Sequence, residues 1–151
     1  MRRLFLIDLE NVRSPGLKGT ENLCASDKII VFYSKNVNQL LVMQVEEMLK
    51  SKATIEFQEV SVGRPNALDF QLVFQLGLRV GNYRGKELIV YIISHDKGFD
   101  CVGEYAKKNF KRKGVWILGS SSTERKHLTN VLSVVFPHGK KKLIVCHIIN
   151  I

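Results

Sequence analysis

Acidic residues are in short supply in this chain: 14 Asp and Glu stand against 23 Lys and Arg, a formal net charge of +9. That excess suits a polyanionic partner, though solubility alone also favours it. Cysteine is scarce too. Cys24, Cys101 and Cys146 are odd in number with no C-x-x-C spacing, which excludes a zinc ribbon and a disulfide framework. Cys101 and Cys146 lie among apolar neighbours and are expected to be small core residues. No uncharged apolar run approaches membrane-spanning length. Met1-Arg2-Arg3 leads into a short strand containing Asp8, not into the long uncharged stretch and cleavage site of a secretory signal. A cytoplasmic, reduced protein without membrane contact is expected. Internal repeats and low-complexity segments are also missing, and 151 residues suit one domain.

What is present is an alternation of periods. Runs rich in β-branched and aromatic residues occur at 3–8, 28–34, 54–60, 87–94 and 114–119. Between them lie helical patterns. Asn38–Leu49 places Leu41, Val45 and Met48 on one face with Val42 and Leu49 flanking; Asn66–Val80 does so with Leu68, Leu72, Val73, Leu76 and Val80. Gly98–Phe110 is shorter, and Thr123–Phe136 stops at Pro137. The alternation predicts an α/β fold: three layers, α/β/α, around a central, mainly parallel sheet of five strands. Asn66 is the expected N-cap of its helix. Arg13-Ser14-Pro15-Gly16-Leu17-Lys18-Gly19 reads as a flexible loop. Lys107–Lys113 holds five basic residues in seven, which at a helix C-terminus complement the dipole without a ligand. Residues 1–137 form the expected domain. The tail 138–151, with Lys140-Lys141-Lys142 before an apolar stretch, is an added edge strand, an association surface for a homodimer, or the stub of a longer chain.

The few acids are placed tellingly. Asp8 closes the run Leu4-Phe5-Leu6-Ile7, Asp69 lies at the start of the helical pattern Asn66–Val80, and Asp96 and Asp100 follow Leu88–Ile93. In an open parallel sheet the carboxyl ends of the strands form one rim, where ligands bind. Carboxylates gathered there repel one another unless a cation neutralises them, and hard ions such as Mg²⁺ or Mn²⁺ prefer such oxygens. One or two such ions can activate a water and steady the leaving oxygen of a phosphodiester. Ser94 can hold a water or an aspartate oxygen, and Asn11 can fix the Asp8 rotamer. Arg13, Lys18 and Arg64 on loops, with Lys97 between two acids, are candidate phosphate contacts; the plain alternative is that they are merely solvated.

Ile7-Asp8-Leu9-Glu10-Asn11-Val12, Asn66-Ala67-Leu68-Asp69-Phe70 and Ser94-His95-Asp96-Lys97-Gly98-Phe99-Asp100 together resemble the PIN-like/NYN nuclease superfamily over about residues 3–120. The resemblance implies strand order 3-2-1-4-5 and metal-dependent endoribonuclease activity on RNA phosphodiesters. Asp8 and Asp96 would be principal metal ligands, with Asp69 and Asp100 binding directly or through water and Ser94 and Asn11 orienting. Single-stranded or flexible RNA would be the substrate, held mainly through its backbone. Two departures stand out. No further helical Glu is evident, Glu10 being a better candidate than Glu46, and Phe99-Asp100 replaces the more usual Asp-Phe order. Two rivals follow from the same residues: a non-catalytic RNA-binding or scaffold domain of this fold, and a haloacid-dehalogenase-like phosphatase, whose first motif wants a second Asp where Glu10 stands.

Overall fold

Strands buried on both faces read as unbroken apolar runs. Leu4 to Ile7, Ile29 to Phe32 and Leu88 to Ile92 are such runs, and all are buried. They build three central strands of a sheet in the structure, a computed structural model that describes residues 2–35, 37, 40, 42–61, 64–85, 87–110 and 115–118. The strands are β1 (Arg2–Asp8), β2 (Lys28–Tyr33), β3 (Thr54–Glu59), β4 (Leu88–Ile93) and β5 (Val115–Leu118). All pairings are parallel and the order is β3-β2-β1-β4-β5, as the alternation of periods and the family resemblance led us to expect. β3 is an edge, and its sequence Thr-Ile-Glu-Phe-Gln-Glu is correspondingly mixed and half-exposed.

The helices that connect the parallel strands lie on both faces of the sheet. On one face α3 (Ala67–Asn82) and α4 (Phe99–Phe110) cover Leu4, Leu6, Ile30, Phe32, Val90 and Ile92. Leu68, Leu72, Leu76 and Val80, four residues apart, are the buried ridge of α3. On the other face α1 (Leu9–Val12) and α2 (Val42–Lys50) cover Phe5, Ile7, Ile29, Val31, Ile89 and Tyr91. The result is the expected three-layer sandwich.

Several local expectations are corrected. Residues 14–17 and 20–22 are turns of 3₁₀ helix, not a slack loop, because Leu17 drives fully into the core between them. Asn66 stands at the N-cap of α3, but in the left-handed region (φ 63°), and its side chain makes no cap bond. Its carbonyl accepts from the Phe70 N–H instead. α2 buries only Met48; Val42, Val45 and Leu49 are exposed. Cys101 is exposed, since α4 turns Phe99 and Ala106 inward. The expected helix 123–136, the tail 138–151 with Lys140–Lys142, Cys146 and Leu41 lie outside the described residues.

At the end of the sheet opposite the acids, Arg3 clamps β1 to the start of β2. Its Nε donates to Asp27 Oδ1 at 2.9 Å, its Nη2 donates to Oδ2, and the Cys24 N–H donates to Oδ2 at 2.9 Å. Burial alone would raise the Asp27 pKa, yet these donors together hold it below the ordinary aspartate value.

Candidate metal centre

Parallel pairing decides which side chains meet at the carboxyl rim. β1 sits between β2 and β4, with Asp8 opposite Phe32 and Ile7 opposite Ile93. Ser94, one residue beyond β4, therefore lies beside Asp8 although 86 positions separate them, and its Oγ donates to Asp8 Oδ2 at 2.7 Å. Ser94 is fully buried and Asp8 nearly so. Asp8 also caps α1: its Oδ1 accepts from the Asn11 N–H at 3.2 Å, and the Asn11 side chain adds a further hydrogen bond. A carboxylate has about four acceptor sites, so one of Asp8's stays open.

Ser94 Oγ in turn accepts from the Asp96 N–H at 3.1 Å, and Asp96 Oδ1 accepts from the Gly98 N–H at 2.7 Å. That turn leads into α4, with Asp100 half-buried in its first turn. Asp69, in the first turn of α3, comes in from the helix layer that also holds α4.

The electrostatics show which acids converge. Burial raises the Asp69 pKa first, and the charges of Asp8 and Asp96 raise it further; Asp100 is not among the groups acting on it. Asp8 is raised chiefly by burial and also by Glu10, against the lowering hydrogen bonds from Ser94 and Asn11. Asp69 thus lies within the charge field of both Asp8 and Asp96. Among the described residues no three His, Cys, Asp or Glu side chains stand close enough to constitute a ready-made ion shell. The raised pKa values and the oxygen-only donor set nevertheless fit a hard divalent cation, whose charge would relieve the repulsion.

Glu10 belongs to this neighbourhood. It is half-buried, accepts a hydrogen bond from the fully buried Ser34 Oγ, and its charge acts on Asp8. Ser34 was missed in the sequence reading. It follows β2 directly as Ser94 follows β4, so each strand flanking β1 ends in a serine that holds a β1-end acid. His95 is exposed beside the site.

Family comparison bears on the same residues. The PIN7 family model, described as a PIN domain, matches residues 2–114. This chain is a PIN domain. No curated protein and no solved structure gives a significant match. Membership points to nuclease-type, hydrolytic chemistry of the kind for which PIN domains generally use divalent metals. The match spans every acid of the cluster and stops ahead of β5.

Around the PIN-domain rim, Arg13, Arg64 and Lys97 are exposed on the segments leaving β1, β3 and β4. Lys18 is exposed further along, past a 3₁₀ turn. The ion pairs among the described residues, Arg3–Asp27, Lys28–Glu56 and Arg79–Glu56, take up none of the four. Arg13 (φ 55°) and Asn66 (φ 63°) are the only described non-glycine residues with positive φ, and both flank the acids. Strain of this kind gathers where a site dictates backbone shape. No described helix is long and apolar enough to cross a membrane.

The raised Asp69 gives a pH prediction for the metal-free protein. An acid whose folded pKa exceeds its unfolded one binds more protons folded than unfolded between the two values. Its contribution to stability therefore falls as pH rises through that window. Asp69→Asn should melt higher than wild type at neutral pH, with the gap closing as pH approaches the ordinary aspartate value. Paired thermal melts in chelator across that range test it; a constant gap would contradict the assigned cluster.

Proposed function

We propose that this PIN domain is a Mg²⁺- or Mn²⁺-dependent endoribonuclease acting on single-stranded or flexible RNA. The observation that carries the reading is the buried Asp8 and the half-buried Asp69, both with raised pKa values, sharing one rim with Asp96. Bound there, a divalent cation would supply Lewis-acid polarisation of the phosphoryl oxygen and lower the pKa of a water. Asp8, Asp69 and Asp96 would hold it, with Asp100 from the first turn of α4 as a further oxygen donor through water.

The chain's own residues prepare that chemistry. Ser94 and Asn11 fix both Asp8 oxygens, so the carboxylate presents its open acceptor site without reorganising. Gly98 N–H restrains Asp96 in the same way. Ser34 holds Glu10 beside Asp8, which keeps the local field negative. Arg13, Lys18, Arg64 and Lys97 would take flanking phosphates, so that a polyanion tolerates an acidic centre. The engagement of Glu10 with Ser34 and the family match both count against the phosphatase alternative.

The test is cleavage of an end-labelled single-stranded RNA by protein free of host nucleases, with Mg²⁺ or Mn²⁺ and then with chelator. Cleavage that needs the ion supports the proposal. RNA binding without cleavage under any divalent ion would make this a binding module instead. For the cationic path, Arg64→Gln with Lys97→Gln should weaken RNA binding and flatten the log–log salt dependence by about 1.4, two single-strand phosphate contacts at about 0.7 each. An unchanged slope moves the path elsewhere on the surface.

A further inference from the structure

The outer side of α3 has nothing to do with the acids, and its composition is peculiar for a solvated surface. Phe70 is 73% exposed, Phe74 66% and Leu78 42%. They form one ridge, four residues apart. Beside it runs a row of smaller residues, Val73, Gly77 and Gly81. A groove of about 410 Å³ lies along this row, lined by Val73, Phe74, Gly77, Leu78, Gly81 and Asn82. A cavity of roughly 150 Å³ already admits one benzene ring.

Among the described residues nothing requires these glycines. Neither adopts positive φ, and a Cβ at Gly77 or Gly81 would meet nothing within 4 Å. Glycine weakens a helix interior, so Gly77 serves no local purpose in α3. What it does is leave a channel in which another helix can lie close.

We propose that α3 is a self-association surface, on which two copies pack antiparallel about a two-fold axis between residues 75 and 76. Under that symmetry position 70 faces 81 of the other copy, 74 faces 77 and 73 faces 78. Each phenylalanine then sits over a glycine, and Val73 meets Leu78. The large ridge of each copy fills the small row of its mate, which is ridge-into-groove packing of two four-residue rows. A two-fold interface must be complementary to itself, and this stripe is. Charge does not oppose the contact. The two charged residues of α3 are engaged elsewhere, Asp69 at the rim and Arg79 with Glu56 at 3.0 Å. The apolar surface available is about 400 Å² per copy, about 800 Å² in all, which is below the range of stable specific interfaces and in that of weak encounters. The dimer is therefore a weak one, in exchange with monomer.

Sedimentation velocity on the full chain should show reversible dimerisation between about 1 and 200 µM, unaffected by chelator. Gly77→Leu fills the groove and should weaken association at least about 20-fold. Gly77→Ala should raise the melting temperature of the monomer while weakening the dimer, a split that no purely internal role for this glycine produces. In a background with Cys24, Cys101 and Cys146 replaced by serine, Phe70→Cys chains mixed with Gly81→Cys chains should cross-link on oxidation, and Phe70→Cys chains alone should not. A monomer throughout that range, a dimer that survives Gly77→Leu, or cross-linking of Phe70→Cys to itself would each overturn the proposal.

Discussion

Asp8→Asn should lose ion-dependent RNA cleavage by at least about 10³-fold, about 4 kcal/mol of transition-state stabilisation. The fold should survive. Asn has nearly the same shape, its amide oxygen can still accept from the Asn11 N–H, and Ser94 Oγ can accept from its amide nitrogen. Burial disfavours the Asp8 charge, so removing that charge should leave the metal-free melting temperature equal or higher. Ser94→Ala is the graded companion: Asp8 keeps its charge but loses the bond that fixes Oδ2, so activity should drop about 10–100-fold. Cleavage assays on both variants, with circular dichroism as a fold control, separate charge from orientation. Undiminished cleavage by Asp8→Asn would remove Asp8 from the chemistry.

Leu72→Ala should have the largest effect on stability, about 3 kcal/mol, lowering the melting temperature by about 10 °C in a domain of this size. Leu72 is fully buried in the middle of the ridge by which α3 grips the sheet, and truncation there leaves a cavity that rigid strands cannot close. The same ridge holds the first turn of α3, and with it Asp69, over the rim. Phe74→Ala, two positions on but 66% exposed, should change monomer stability by no more than about 0.5 kcal/mol. Denaturant melts of the two variants at low concentration decide the matter; equal losses would mean that the faces of α3 are misassigned.

Much of the architecture is legible in the sequence because parallel strands buried on both sides advertise themselves as unbroken apolar runs. Leu88–Ile93 and its bounding residues leave little choice of strand; Asp8 is placed by the strand it ends and Asp96 by the strand it follows. The helical pattern Asn66–Val80 matches α3 to within two residues at either end, and Gly98–Phe110 differs from α4 by one. The failures share a cause. Pro15, Gly16 and Gly19 carry loop chemistry, yet the fate of residues 14–22 was decided by Leu17 finding the core, a tertiary event no local signal announces. Cys101 has apolar neighbours in sequence but points off the buried side of α4, since one step along a helix turns a side chain by about 100°. Within the site, Asp69 could be proposed only because the other acids were present, and its convergence with Asp8 and Asp96 is a matter of crossover geometry. Ser34 carried a signal that could have been used: a serine directly after each strand that neighbours the acid-bearing one.

The separation of Asp8 from Ser94 bears on when the centre can come into being. Strand β2 can pair with β1 early in synthesis, but β4 enters the sheet last of the three inner strands, and Ser94 meets Asp8 across a separation of 86 positions. Long-range parallel pairing is slow to form, because the loop must close before any contact rewards it. A nascent chain that has passed β3 therefore has Asp8 on a sheet edge, still waiting for Ser94 and Asp96. The carboxylates can therefore meet only once β4 and the turn carrying Asp96 have joined the sheet, so closing the sheet and forming the rim are one event.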